Sequence, residues 1–216
     1  MMQLLSSILL PLCAIEGHAD LQVESVLHLT GAADQEFPLQ YLRLNEFISS
    51  RDTFENICKW RGFECVDGSL VKMHGYWSDS GLAWNLSWFP SSLTVIKISF
   101  LNMDTLLPTR FLPKKLETCI LDSCDLRGSI DLRTLPYPLI RLSVPGNSLS
   151  GKVFLTSLPP KITEVNLLRN KIGKVFISME DIPESFHVSV LNQGYNEKPR
   201  IVYVGSVCKN RPNFVF

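Results

Sequence analysis

The sequence predicts a solenoid of 23-residue coils, each laying one short strand into a parallel sheet, and three observations carry that expectation. Leu70, Leu93, Leu116, Leu139 and Ile162 open the same frame, Lxx(apolar)x(apolar), at equal spacing, and equal spacing of this length is the mark of stacked coils. A second marker keeps the register: Phe89-Pro90, Leu112-Pro113, Leu135-Pro136 and Leu158-Pro159 each stand just before the next frame. Within each frame the fourth and sixth positions are apolar and alternate with variable residues, as in a strand with one buried face.

Those two positions hold Met73 and Gly75, Ile96 and Ile98, Cys119 and Leu121, Leu142 and Val144, and Val165 and Leu167. The ninth position carries Cys124, Asn147 and Asn170, where a buried turn needs a group that hydrogen-bonds backbone amides inside the coil. Leu126, Leu149 and Ile172 follow at position eleven, then Ile130, Val153 and Phe176 at fifteen. Every coil therefore sends apolar groups inward on several sides, and only stacking can bury them. In the last copy two registers compete. Counting from Ile182-Pro183 puts Phe186 first, while Val188 and Val190 fit a frame starting at Ser185. The valines decide it, because buried alternation constrains a strand more than turn length does.

The copies LETCILDSCDLRG, LIRLSVPGNSLSG and ITEVNLLRNKIGK match LxxLxLxx(N/C)xL. Over roughly residues 58–195 the chain resembles leucine-rich repeat proteins. The resemblance implies an α/β solenoid, a right-handed coil with a parallel concave β-sheet. The repeat tails GSIDLRTLP and GKVFLTSLP resemble those of secreted or surface leucine-rich repeat proteins of kinetoplastid protists. The expected organisation is a signal peptide over 1–19, an N-terminal cap over 20–69, about six coils over 70–195 and a C-terminal cap or tail over 196–216.

Ahead of the repeats, Cys58-Lys-Trp60-Arg-Gly62-Phe63-Glu-Cys65 has the C-x-W-x-G-(apolar)-x-C spacing. It resembles the end of the N-terminal cap in plant-type leucine-rich repeat proteins. That resemblance implies a disulfide between Cys58 and Cys65, a Trp60 that covers the open end of the core, and a cap helix, for which Leu39 to Phe54 is the candidate segment. A zinc half-site is the other reading of the two cysteines, but no second thiol or His pair stands at metal-ligand spacing.

A disulfide requires an oxidising compartment. Met1 to Ile15 is apolar and uncharged, and Gly17-His18-Ala19 offers a small-x-small cleavage site before Asp20. This reads as a secretory signal, although it lacks a basic n-region; an uncleaved membrane anchor is the alternative. Asn85-Leu86-Ser87 is a glycosylation acceptor. Lys and Arg number 21 against 21 Asp and Glu, so no net field attracts nucleic acid or an anionic membrane. Cys119 and Cys124 occupy inward positions and read as buried small hydrophobes rather than a redox pair.

The chemistry-bearing motifs are incomplete. Gly146 to Lys152 opens a phosphate-loop pattern, yet Val153 stands where a hydroxyl must hold magnesium. Ser148 and Ser150 do not make GxSxG. His18, His28, His74 and His187 are scattered and form no metal-binding pair. The expectation is a protein without catalytic residues, cofactor or metal.

What remains is a surface. Positions three, five, seven and eight point outward on the strand face and align in columns about 4.8 Å apart. The candidate ligand-binding residues are Lys72, His74, Tyr76, Trp77, Lys97, Phe100, Asp122, Arg141, Asn166 and Arg169. Aromatics gather at the N-terminal end, and such residues are enriched in binding hot spots. The expected function is a secreted or cell-surface module that binds a protein or glycan through its concave face. A membrane-retained surface protein and an inhibitor of a secreted hydrolase are the alternatives.

Overall fold

The computed structural model describes residues 18–30, 56–76, 84–178, 182, 186–190, 198–205 and 213–215. Its elements in chain order are helix α1 (His18–Leu29) and strands β1 (Phe63–Val66), β2 (Ser69–Tyr76), β3 (Val95–Ser99), β4 (Thr118–Asp122), β5 (Arg127–Gly128) and β6 (Arg141–Ser143). They continue with β7 (Ser148–Leu155), β8 (Glu164–Asn166), β9 (Lys171–Ser178), β10 (His187–Ser189), β11 (Arg200–Val204) and β12 (Asn213–Val215). An eight-stranded sheet runs β1-β2-β3-β4-β6-β8-β10-β12, and a four-stranded sheet runs β11-β9-β7-β5. The chain is a parallel β-solenoid, the arrangement that the 23-residue leucine frame implies.

The register follows the frame. Met73, Ile96, Cys119, Leu142, Val165 and Val188 lie opposite one another across successive strands, which settles the last copy in favour of the valines. Leu70, Leu93, Leu116, Leu139 and Ile162 form a second inward column, all fully buried. Each such side chain stabilises by about 2 kcal/mol when buried, but only against the coil above and below it.

Helix is scarce. Among the described residues α1 is the one α-helix, so the α/β description is not matched beyond the cap. The side opposite the large sheet is closed by the 3-10 turns Leu86–Trp88, Thr109–Phe111 and Leu132–Thr134, then by the second sheet. Phe176 also departs from expectation. Pairing shifts between Gly151 and Lys152, which sets Val153 opposite Val175. Val175 is buried, and Phe176 stays half-exposed, stacked on Phe154 at 4.7 Å. The segment expected as a C-terminal cap or tail carries β11 and β12, which extend both sheets.

The inner turns are closed by the ninth position. The Oδ1 of Asn147 accepts from the N–H groups of Cys124 and Leu126 at 2.9 and 3.0 Å, while its Nδ2 donates to the carbonyls of Leu121, Val144 and Pro145. Asn170 repeats this one coil on, accepting from Leu149 and donating to Val144, Leu167 and Leu168. Just before each such residue the chain turns through a left-handed conformation, with φ of 59° at Phe100, 53° at Ser123, 65° at Gly146 and 59° at Arg169. The N–H of position eight then continues the ladder: Phe100 donates to the Asp122 carbonyl, Ser123 to Pro145 and Gly146 to Leu168.

At the N-terminal end, Cys58 and Cys65 are disulfide-bonded and Trp60 is buried against Phe63. Gly62 has φ of 81°, and a Cβ there would collide with the His74 carbonyl, whose own N–H donates to the Gly62 oxygen at 2.7 Å. The candidate cap helix, Leu39 to Phe54, lies outside the described residues. Helix α1 covers this end. Val23, Val26 and Leu29 are buried on one face, Gln22 accepts from the Leu70 N–H and donates to the Gly68 carbonyl, and the Asn85 N–H bonds the Leu29 carbonyl at the helix end.

Candidate functional site

The large sheet presents its variable positions in rows fixed by strand pairing. Position three runs Lys72, Val95, Thr118, Arg141, Glu164, His187, and position five runs His74, Lys97, Ile120, Ser143, Asn166, Ser189. Strand alternation sends their neighbours into the core and leaves these positions on the outer face of the sheet.

At the N-terminal end the sequence reading missed a residue. Glu64, from β1, takes a salt bridge from Lys72 at 2.7 Å and a hydrogen bond from the His74 ring at 3.0 Å. The hydrogen bond from Lys72, helped by the charges of Lys72 and His74, holds the Glu64 carboxyl below the ordinary carboxylate range. Two candidate ligand-binding side chains, Lys72 and His74, are therefore engaged within the protein. Lys97, beside His74 in the same row, is exposed and makes no ion pair among the described residues.

The remaining candidates fall into two groups. Phe100 is 61% exposed at the end of β3, and Arg169 is exposed at the matching corner three coils further on. Other side chains hold the face itself. Arg141 pairs with Glu164 at 2.9 Å across β6 and β8, Asp122 accepts from the Ser123 hydroxyl at 2.9 Å, and Asn166 accepts from the Leu168 N–H at 3.1 Å. Tyr76 ends β2; Trp77 lies outside the described residues. The central part of the face is small or apolar, with Val95, Thr118, Ile120 and the buried Ser143.

Asn85 is exposed, and its side-chain oxygen accepts from the Ser87 N–H at 3.2 Å, so it caps the turn Leu86–Trp88. Trp84 beside it is buried, while Trp88 stacks on His28 at 4.4 Å. The thiols of Cys119 and Cys124 are free, and burial pushes both up to about 12, so at neutral pH neither is a nucleophile. Among the described residues no group of three or more His, Cys, Asp or Glu is placed to hold a metal ion, and no helix is long and apolar enough to cross a membrane.

No family model matches the chain, and no curated protein matches it. Among solved structures it is similar to one titled as the crystal structure of a pollen receptor kinase 3, at 17% identity and a TM-score of 0.41, over 71% of this chain and 85% of that one. At that level the likeness adds nothing to what the coil geometry shows.

Proposed function

We propose that this protein is a secreted or cell-surface interaction module that binds a protein or glycan through the concave face of its large sheet, without catalysis. The observation that carries the reading is the pairing of a rigid strand lattice with side chains exposed on it: Lys97 and Phe100 stand exposed on β3 and its corner, beside an apolar centre at Val95 and Ile120. A face whose backbone is fixed by neighbours on both sides loses little entropy on binding. Exposed aromatic and cationic groups on such a face are the usual anchors. The Cys58–Cys65 disulfide supports a place outside the reducing cytosol, and the exposure of Asn85 suits a glycan on a side that leaves the concave face clear. The test is capture from extracellular medium with the full chain and with a Lys97→Ala/Phe100→Ala variant, the retained species being compared by mass spectrometry. Partners should be retained by the wild type and lost from the variant at equal unfolding midpoints. Species held equally by both would place binding elsewhere.

A further inference from the structure

The second sheet carries a row of cations that no carboxylate among the described residues neutralises. Lys152 on β7 lies opposite Lys174 on β9, and Lys174 opposite Arg200 on β11. Their chain neighbours Val153 and Val175 are buried, so Lys152 and Lys174 project from the outer surface together with Phe154 and Phe176. Lys152 and Arg200 make no ion pair among the described residues, and the Lys174 ammonium rests over the Phe176 ring at 4.7 Å. Arg133 lies over the Phe154 ring at 4.8 Å, and both its bonds to a carboxylate go to its own neighbour Asp131, at 2.8 and 3.1 Å. Like charges directly opposite on adjacent strands destabilise a sheet. An anion laid across the row would remove that repulsion.

The geometry points to an extended polyuronate chain bound along this face, across the strands. Cations set one per strand, about 4.8 Å apart, suit a polymer bearing one carboxylate on each sugar ring. Arg200 can hold a carboxylate by two parallel hydrogen bonds. The row of Phe154, Phe176 and Val202, in register two residues further along the same strands, forms an apolar ledge for the C–H faces of the rings. The cations lie in a line on a sheet surface, an arrangement that matches a linear polymer better than a small anion. The chain has no net charge to add a wider field, which disfavours duplex nucleic acid.

The experiment is affinity electrophoresis of the full chain through gels holding polygalacturonate, dextran sulfate, neutral dextran or duplex DNA. Polygalacturonate should retard the protein at low salt and lose its hold as salt rises, since exposed charges are screened. Lys152→Gln/Lys174→Gln/Arg200→Gln should weaken that binding by about tenfold or more, as expected when a cluster of contacting charges is removed. Its unfolding midpoint should be no lower than that of the wild type. Lys114→Gln/Lys115→Gln, at exposed positions away from this sheet, should bind like the wild type. The proposal is overturned if the wild type is not retarded by polygalacturonate, if the triple variant is retarded as strongly, or if the Lys114/Lys115 variant loses as much. It is overturned equally if dextran sulfate or DNA binds as tightly.

Discussion

Asn147 does for its coil what Cys124 does, more weakly, one coil earlier. Asn147 donates to the Leu121 carbonyl at 2.8 Å, and the Cys124 thiol donates to the equivalent Ile98 carbonyl at 3.6 Å. The asparagine also accepts from two backbone N–H groups. Its removal leaves several buried backbone groups unpaired, each costing about 1–3 kcal/mol. Asn147→Ala should therefore destabilise by about 3 kcal/mol or more in denaturant unfolding. Cys124→Asn, which restores the stronger partner, should leave stability unchanged or raise it. A fall of the midpoint in Cys124→Asn alone would show that side-chain volume, not hydrogen bonding, governs this position.

The left-handed corner makes a second prediction. Arg169 holds φ of 59° at a place where Gly146 stands one coil earlier. A side chain there costs about 1–2 kcal/mol, partly offset by the entropy glycine loses on folding. Arg169→Gly should stabilise slightly in thermal scans. Gly146→Ala should destabilise, because its Cβ would stand 2.6 Å from the Ser123 Oγ. The opposite order of midpoints contradicts this reading of the corner.

The cap supplies a third. The Cys58–Cys65 bond closes a short loop beneath Trp60, and loop-closure entropy sets its contribution at about 2 kcal/mol. Cys58→Ser should lower stability by that order, and hydrogen exchange should quicken first in β1 and β2 before reaching β8. Exchange that quickens uniformly along the stack would mean the coils unfold as one unit rather than fraying from the end.

A fourth concerns pH at the edge of the large sheet. The folded-state pKa of Glu64 lies below its ordinary value of 4.5, so its salt bridge to Lys72 and the carboxylate's hydrogen bond to the His74 ring are complete above that value. They are lost as pH falls through the lower, folded-state value. NMR titration should show the Glu64 carboxyl titrating below 4.5, and Lys72→Ala should move it back toward the ordinary range. An unchanged titration in Lys72→Ala would remove Lys72 as the cause.

The repeat frame was legible because inward residues recur at fixed spacing. Leu70 to Ile162, the alternating pairs from Ile96 and Ile98 onward, and Asn147 and Asn170 all sit where that spacing puts them. The hairpin of β1 and β2 went unread although its signal was present. Asp67 and Gly68 both have positive φ between the paired residues Val66 and Ser69, and Asp-Gly between strand-forming segments is a strong hairpin signal. With the hairpin comes Glu64, the residue that engages Lys72 and His74. The second sheet was illegible for a different reason: its register slips at Gly151, so strict counting placed Phe176 in the core and hid the Lys152–Lys174–Arg200 row. Helix α1 was hidden too, because its sequence overlaps the segment read as a signal and its cleavage site.

The most direct test of the account is site-specific blocking of the concave face. Lys97→Cys and Lys115→Cys would each be labelled with a bulky maleimide polymer, after labelling of the unsubstituted chain is shown to be without effect, and a partner captured by the wild type would be titrated onto both. The account predicts that the label at position 97 abolishes binding while the label at position 115 leaves it intact. Binding that survives at 97 and fails at 115 would move the interaction off the strand face and contradict it.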